Sequence, residues 1–218
     1  MEFLDRVDSA KFWLLDLVYK GIFPIHILVD DQLELVVNKS TGHGLDRTEL
    51  VDALLMLFEE EMLIAQLYKN PDDFPMRITP TQQDIENALA GKLDLHYGLT
   101  SLGGEQWEKL SKPNWNLYIS GRLEREEVSF SGSDRQIVEQ YLPSLRYSSQ
   151  QEIVSGSEIW EHLVPWQATY WKTLPSGWQV TCQTRETNEY LGNPMPSEYQ
   201  EWFNKIQNWY VNPFHEAN

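Results

Sequence analysis

Tyr97-Gly98-Leu99-Thr100-Ser101-Leu102-Gly103-Gly104-Glu105-Gln106-Trp107-Glu108 reads as a β-strand that runs straight into a capped helix. Tyr97 and Leu99 flank Gly98 on one side of the chain, as a half-buried strand requires, and Thr100 offers a hydroxyl to the first free amides of a helix. Trp107 and Leu110 recur at helical spacing, and Pro113 marks the end. Gly103 and Gly104 at the helix start could hold an anion on their amides, but Glu105 and Glu108 in the next turn oppose it. Close packing against a neighbouring strand is the expected use.

Upstream, Ala10, Trp13, Leu14, Leu17 and Val18 follow the helical rule, and Gly21 and Pro24 stop that helix. Leu33, Leu35 and Val37 alternate and predict a short strand, followed by a loop from Asn38 to Gly44. Asp46 and Glu49 have capping-box spacing, with Leu50, Leu54, Leu57 and Phe58 as the buried stripe behind them. Met62 to Tyr68 predicts a strand and Asn70-Pro71-Asp72-Asp73 a turn. Thr81 opens a helix through Leu89 that Gly91 ends, and Leu93 to Leu99 is the returning strand.

The segments TELVDALLMLFEEEMLIAQLY (48–68) and YGLTSLGGEQWEKL (97–110) resemble the recognition helix, wing and closing helix of winged helix-turn-helix proteins. The likeness covers about residues 10–111 and implies a three-helix core with a two-stranded wing. Two departures stand out. Many members of that superfamily carry Gly where this chain has Glu61, and their wing is a plain hairpin, whereas here it would hold the helix from Thr81 to Leu89. The run GGEQWEKLSKPNWNLY (103–118) is also similar to uncharacterised bacterial proteins with a Gly-Gly-x-x-Trp-Glu element followed by Pro-x-Trp-x-x-Tyr. That similarity implies no activity.

Seventeen basic residues face 33 acidic ones, for a net charge of −16. The excess is spread along the chain, with 12 basic and 23 acidic residues up to Glu127 and 5 and 10 beyond it. Because nucleic-acid affinity is built on Lys and Arg neutralising phosphates, this field repels DNA and RNA. The expected recognition helix repeats the problem locally: Arg47 stands alone against Asp46, Glu49, Asp52, Glu59, Glu60 and Glu61. Arg6, Lys11, Arg47 and Lys69 are the residues from which a basic patch would have to be assembled. The longest apolar run, Ala53 to Phe58, is far short of a membrane span. Met1-Glu2-Phe3-Leu4-Asp5 is neither a basic leader nor an apolar signal, and Cys182 has no second cysteine to pair with. Both lead to the expectation of a cytoplasmic protein.

After Glu127 the composition turns to β-favouring residues. Glu127 to Ser131 predicts a strand, and Asp134 to Leu142 a helix capped by Ser133 or Asp134. Trp166 to Leu174 and Trp178 to Thr184 flank Pro175-Ser176-Gly177 and predict a hairpin. Its apolar face would gather Trp166, Ala168, Tyr170, Trp178, Val180 and Cys182. Its polar face would gather Gln167, Thr169, Thr173, Gln179, Thr181, Gln183 and Arg185. A final helix capped by Ser197, with Trp202, Phe203, Ile206 and Trp209, would cover the apolar face.

The expected class is therefore α+β: a winged-helix-like domain over residues 1–112, a linker over 113–127, and a small antiparallel-sheet domain over 128–218. No metal site or cofactor is expected. His26, His43, His96, His162 and His215 lack zinc-ligand spacing, and the only close His and carboxylate neighbours noted are His43 with Asp46 and His162 with Glu158 or Glu161. Asp30-Asp31, Asp72-Asp73 and Glu126-Glu127 read as solvated pairs, and Cys182 as a buried inert thiol. No phosphate loop, nucleophile elbow or dinucleotide fingerprint is present. Of the aromatic group Trp160, Trp166, Tyr170, Trp171 and Trp178, all but Trp171 are expected in the core. Trp171 falls with Gln167, Thr169 and Thr173, where it is either covered by Ser144 to Ser155 or kept as a contact anchor. These four residues form the candidate interaction site. The function this favours is a non-enzymatic cytoplasmic interaction module, an adaptor or immunity-type protein whose acidity suits a basic partner. The alternatives are a winged-helix regulator of DNA, and an enzyme using groups such as Glu158, His162 and Tyr170.

Overall fold

The computed structural model describes residues 3–37, 41–70, 74–124, 126–148, 151–187 and 194–213. The chain forms two compact units, one built on the residues up to Ser111 and the other on Lys112–Val211.

In the first unit, α1 (Phe3–Leu17) buries Ala10, Phe12, Trp13, Leu14, Leu15 and Leu17. Next come β1 (Phe23–Pro24), a 3-10 turn at Ile25–Val29, and α2 (Leu33–Val36). The strand expected at Leu33 to Val37 is thus a helical turn. It buries Leu33 and leaves Leu35 79% exposed, so the apparent alternation does not mark a face. Residues 38–40 of the expected loop lie outside the described residues.

The helix α3 (Arg47–Glu59) opens with the capping box: Asp46 Oδ1 accepts from the Glu49 amide at 2.9 Å, and Glu49 Oε2 from the Asp46 amide at 3.0 Å. Four orphan donors at a helix start need such partners. The chain then forms β2 (Leu63–Leu67), β3 (Met76–Ile78), α4 (Gln82–Leu89), β4 (Leu95–Leu99) and α5 (Ser101–Ser111). Of the expected turn, residues 71–73 lie outside the described residues. A second box, Thr81 with Asp84, starts α4, and Gly91 follows it in the left-handed region at φ +68°. The sheet order is β1-β4-β2-β3, antiparallel throughout, with Ala65 opposite Tyr97 and Leu63 opposite Leu99.

A tight corner joins α3, β2 and α5. Thr100 Oγ1 donates to the Glu61 carbonyl at 2.6 Å and accepts from the Gly103 amide at 3.0 Å. A Cβ on Gly103 would collide with the Met62 carbonyl, which accounts for glycine there by close approach.

The second unit is built around β11 (Gly177–Glu186), the last strand of its sheet in chain order. Before it come β5 (Ile119–Leu123), β6 (Glu127–Gly132), α6 (Arg135–Tyr141), α7 (Leu145–Ser148), β7 (Gln151–Ile153), β8 (Ile159–Leu163), β9 (Trp166–Gln167) and β10 (Thr173–Leu174). After it comes α8 (Ser197–Gln207). One side of β11 pairs with β6, which carries β5, and the other side pairs first with β8 and then with β7. The segment 113–127 is no linker: it supplies β5 and a 3-10 turn at Trp115–Leu117.

Nor do Trp166 to Leu174 and Trp178 to Thr184 pair as a hairpin. β11 takes β8 as its neighbour, while 166–174 folds back on itself as the β9–β10 pair, with Gln167 opposite Thr173. The apolar face of the sheet holds Val128, Phe130, Val180 and Cys182 against Val138, Leu142 and Leu145. The helix packed there is α6, not the final helix, which instead brings Phe203 and Trp202 to within 6.2 Å of the Tyr141 ring. Pro196, not Ser197, occupies the cap position of α8.

Candidate functional site

The residues singled out around Trp171 are brought together by the turn between β9 and β10. Ala168 and Thr169 amides both donate to the Lys172 carbonyl, at 3.0 and 3.2 Å. The Lys172 amide donates to Thr169 Oγ1 at 3.1 Å. The Thr173 hydroxyl donates to Gln167 Oε1 at 2.8 Å, and Gln167 Nε2 donates to the Thr169 carbonyl. Gln167, Thr169 and Thr173 therefore hold the turn itself. Thr169 is buried, not on an open polar face, because its hydroxyl closes the loop from inside.

Since 166–174 is not one strand, period-two alternation does not set the side of Trp171. Its ring meets Trp115 edge-on, with centroids 6.0 Å apart and planes at 70°. Trp115 lies in turn 5.1 Å from Trp209, and Trp209 lies 4.6 Å from Tyr118. The Asn114 amide donates to the Trp209 carbonyl at 2.7 Å, fixing the two segments together. Burial raises the Tyr118 hydroxyl above the ordinary tyrosine range, against the lowering from its Ser120 hydrogen bond. Trp209 is buried, whereas Trp115 and Trp171 are half-buried at the edge of this stack. The Lys172 ammonium lies 5.6 Å from the Trp115 centroid and 6.0 Å from that of Trp171.

Of the five aromatics placed in the second half, Trp166 alone is fully buried; Trp160, Tyr170 and Trp178 join Trp171 as half-buried. A separate pile forms where the Arg135 guanidinium sits 4.5 Å from the Trp160 ring and 5.4 Å from that of Trp178, on which His162 stacks at 4.6 Å. The polar face of the main sheet carries a shallow groove of about 410 Å³ lined by Ser120, Arg122, Ser129, Ser131, Gln179 and Thr181 among others.

His43 and His96 take partners other than the histidine–carboxylate neighbours noted from the sequence. His43 accepts at Nδ1 from the Leu45 amide at 3.1 Å, so Nε2 carries the hydrogen and donates to the Leu28 carbonyl at 2.9 Å. The close histidine–carboxylate pair is His96 with Asp94, where Nε2 donates to Oδ1 across 2.9 Å, beneath the Tyr68 ring at 4.5 Å. Its signal was a spacing of two, which places both side chains on one side of an extended chain. Cys182 is buried, and burial together with the nearby Glu158 carboxylate pushes its thiol up to about 11. Among the described residues no group of three His, Cys, Asp or Glu side chains is placed to hold a metal ion, and no helix is long and apolar enough to cross a membrane.

No family model, curated protein or solved structure matches the chain significantly.

Proposed function

We propose that the chain is a non-enzymatic protein-interaction module, an adaptor or immunity-type protein of bacterial cytoplasm, with its first unit as a winged-helix-like scaffold. The observation that carries this reading is the half-buried edge-on pair of Trp115 and Trp171, with Trp171 presented on a turn that Gln167, Thr169 and Thr173 hold and Trp115 on the 3-10 turn Trp115–Leu117. Large aromatics fixed in advance lose little entropy on association and dominate binding hot spots. The element order, the β1-β4-β2 arrangement and the left-handed Glu61 where many winged-helix proteins carry glycine support the scaffold.

The DNA-reading alternative meets an obstacle in α3. Leu50, Val51, Ala53, Leu54, Leu57 and Phe58 are buried, α4 packs alongside, and Arg47 donates to the Glu86 carbonyl of α4 at 3.2 Å. What α3 and its exit leave exposed includes Asp52, Glu59, Glu60 and Glu61. Carboxylates there would face phosphates.

The test is photo-crosslinking of the full chain with benzoylphenylalanine in place of Tyr170, in the cells that make the protein. The reading expects an adduct with a defined second protein, absent when the same group replaces Leu102. An unmodified chain at both positions would overturn it.

A further inference from the structure

We infer that the outer edge of β8 (Ile159–Leu163) takes an extended segment of a basic protein partner as an added strand, with a lysine or arginine of that segment set against Glu161. This deepens the interaction reading above without depending on the Trp115–Trp171 pair. A free strand edge presents unpaired N–H and C=O groups, and folded proteins blunt such edges with proline, cationic side chains or very short strands. The other sheet edges of this chain are blunted in that way. β1 has two residues and includes Pro24; β3 has three, carries Arg77 and lies between Pro75 and Pro80; β5 carries Arg122; β7 has three residues. β8 has five residues, none of them proline, lysine or arginine, and among the described residues only β11 pairs with it.

The side chains along this edge select what can lie beside it. Through the register with β11, Ile159, Glu161 and Leu163 share one face, opposite Thr181, Gln179 and Gly177, while Trp160 and His162 share the other, opposite Val180 and Trp178. Ile159 is 71% exposed, Leu163 is half-buried, and Glu161 is exposed with no ion pair among the described residues. Cross-strand neighbours decide sheet pairing, so an incoming strand gains most when it carries an apolar residue, a cation and an apolar residue at alternate positions. A second copy of β8 is a poorer occupant. Aligned antiparallel about its middle residue it sets Glu161 against Glu161, and each chain carries a net charge of −16. The same charge draws a basic segment toward the molecule.

The test uses the full chain at physiological salt and a capped synthetic peptide, Thr-Ile-Thr-Lys-Thr-Ile-Thr, with Glu in place of Lys as its control, read by calorimetry and by hydrogen exchange of the β8 amides. Binding should slow exchange at alternate amides of Ile159–Leu163 by about tenfold or more. The Lys peptide should bind about three- to tenfold more tightly than the Glu peptide, and Glu161→Lys should reverse that preference. Melting curves establish that the variant is folded. N-methylation of the Lys peptide at its Thr residues, or at its Ile and Lys residues, removes the amide donors of one edge or the other, so one form should fail to bind while the other binds. No binding of the Lys peptide, a preference unchanged by Glu161→Lys, or equal behaviour of the two N-methylated forms overturns the proposal. Protection of the same amides in the peptide-free chain that grows with its concentration also overturns it, with a second copy as the occupant. An adduct from position 170 together with any of those results leaves the interaction module standing and removes only the added strand; peptide binding without that adduct keeps the strand and removes the Trp115–Trp171 reading.

Discussion

Trp107 donates its indole N–H to the buried carboxylate of Asp16 across 2.8 Å, joining α5 to α1. Both side chains are withdrawn from water, Trp107 completely and Asp16 to 2% exposure, and the Tyr19 ring lies flat on Trp107 at 4.9 Å. Asp16→Ala leaves the indole donor without this acceptor and should cost about 1 to 3 kcal/mol. Trp107→Ala adds a cavity and should cost about 3 to 5 kcal/mol, with Leu57→Ala, 1% exposed in α3, at about 2 to 5. Urea unfolding measures all three. A loss under about 0.5 kcal/mol for every one would place the core elsewhere.

Glu61 sits at φ +56°, a conformation that costs a residue with a Cβ about 1 to 2 kcal/mol relative to glycine. Glu61→Gly removes that strain but adds freedom to the unfolded chain, so the expected net gain is about 0.5 to 1 kcal/mol. A drop in melting temperature would show that the Glu61 side chain stabilises the corner more than its backbone strains it.

Cys182, with its thiol raised to about 11 by burial and by Glu158, should stay protonated at pH 8. A disulfide reagent should leave the native protein unlabelled and modify one thiol once guanidinium is added. Rapid labelling of the native protein would contradict the packing of Val128, Phe130, Val180 and Cys182 under α6.

Asp84 is held below its ordinary carboxylate value chiefly by the Thr81 hydroxyl and then by the Thr81 amide. A depressed folded value means stability that is present in full above the unfolded carboxylate range near 4 and lost as pH falls through the folded value. Asp84→Asn should therefore lower the melting temperature at pH 7, and the gap from the unaltered protein should narrow on acidification below pH 4. A gap independent of pH would mean that charge plays no part in this cap.

Local signals were legible in the sequence where they acted locally. Asp46 with Glu49 and Thr81 with Asp84 start helices because their side chains bond amides three residues away. Gly103 was readable as a packing position from its place at a helix start, although the carbonyl it makes room for, that of Met62, lies far away in sequence. Leu33, Leu35 and Val37 misled because apolar alternation over five residues also fits one helical turn with a single buried leucine. Trp166 to Leu174 misled more seriously. Its alternation suits a strand, but the bonds from Gln167, Thr169 and Thr173 close a turn, and the partner strand that β11 selects is Ile159–Leu163. Trp115, the neighbour of Trp171, lies in the segment expected to be a linker. Nothing nearby in sequence connects the two.

Trp171 tests the central claim most directly. Its half-buried ring, edge-on to Trp115, predicts that Trp171→Ala costs about 1 to 2 kcal/mol, below the about 3 to 5 of a core aromatic. The decisive measurement pairs urea unfolding of Trp171→Ala with quantitative capture of the partner crosslinked from position 170. The account predicts a folded variant of slightly reduced stability that captures at most a tenth as much of that partner as the unaltered chain. A loss of core size with undiminished capture would contradict it.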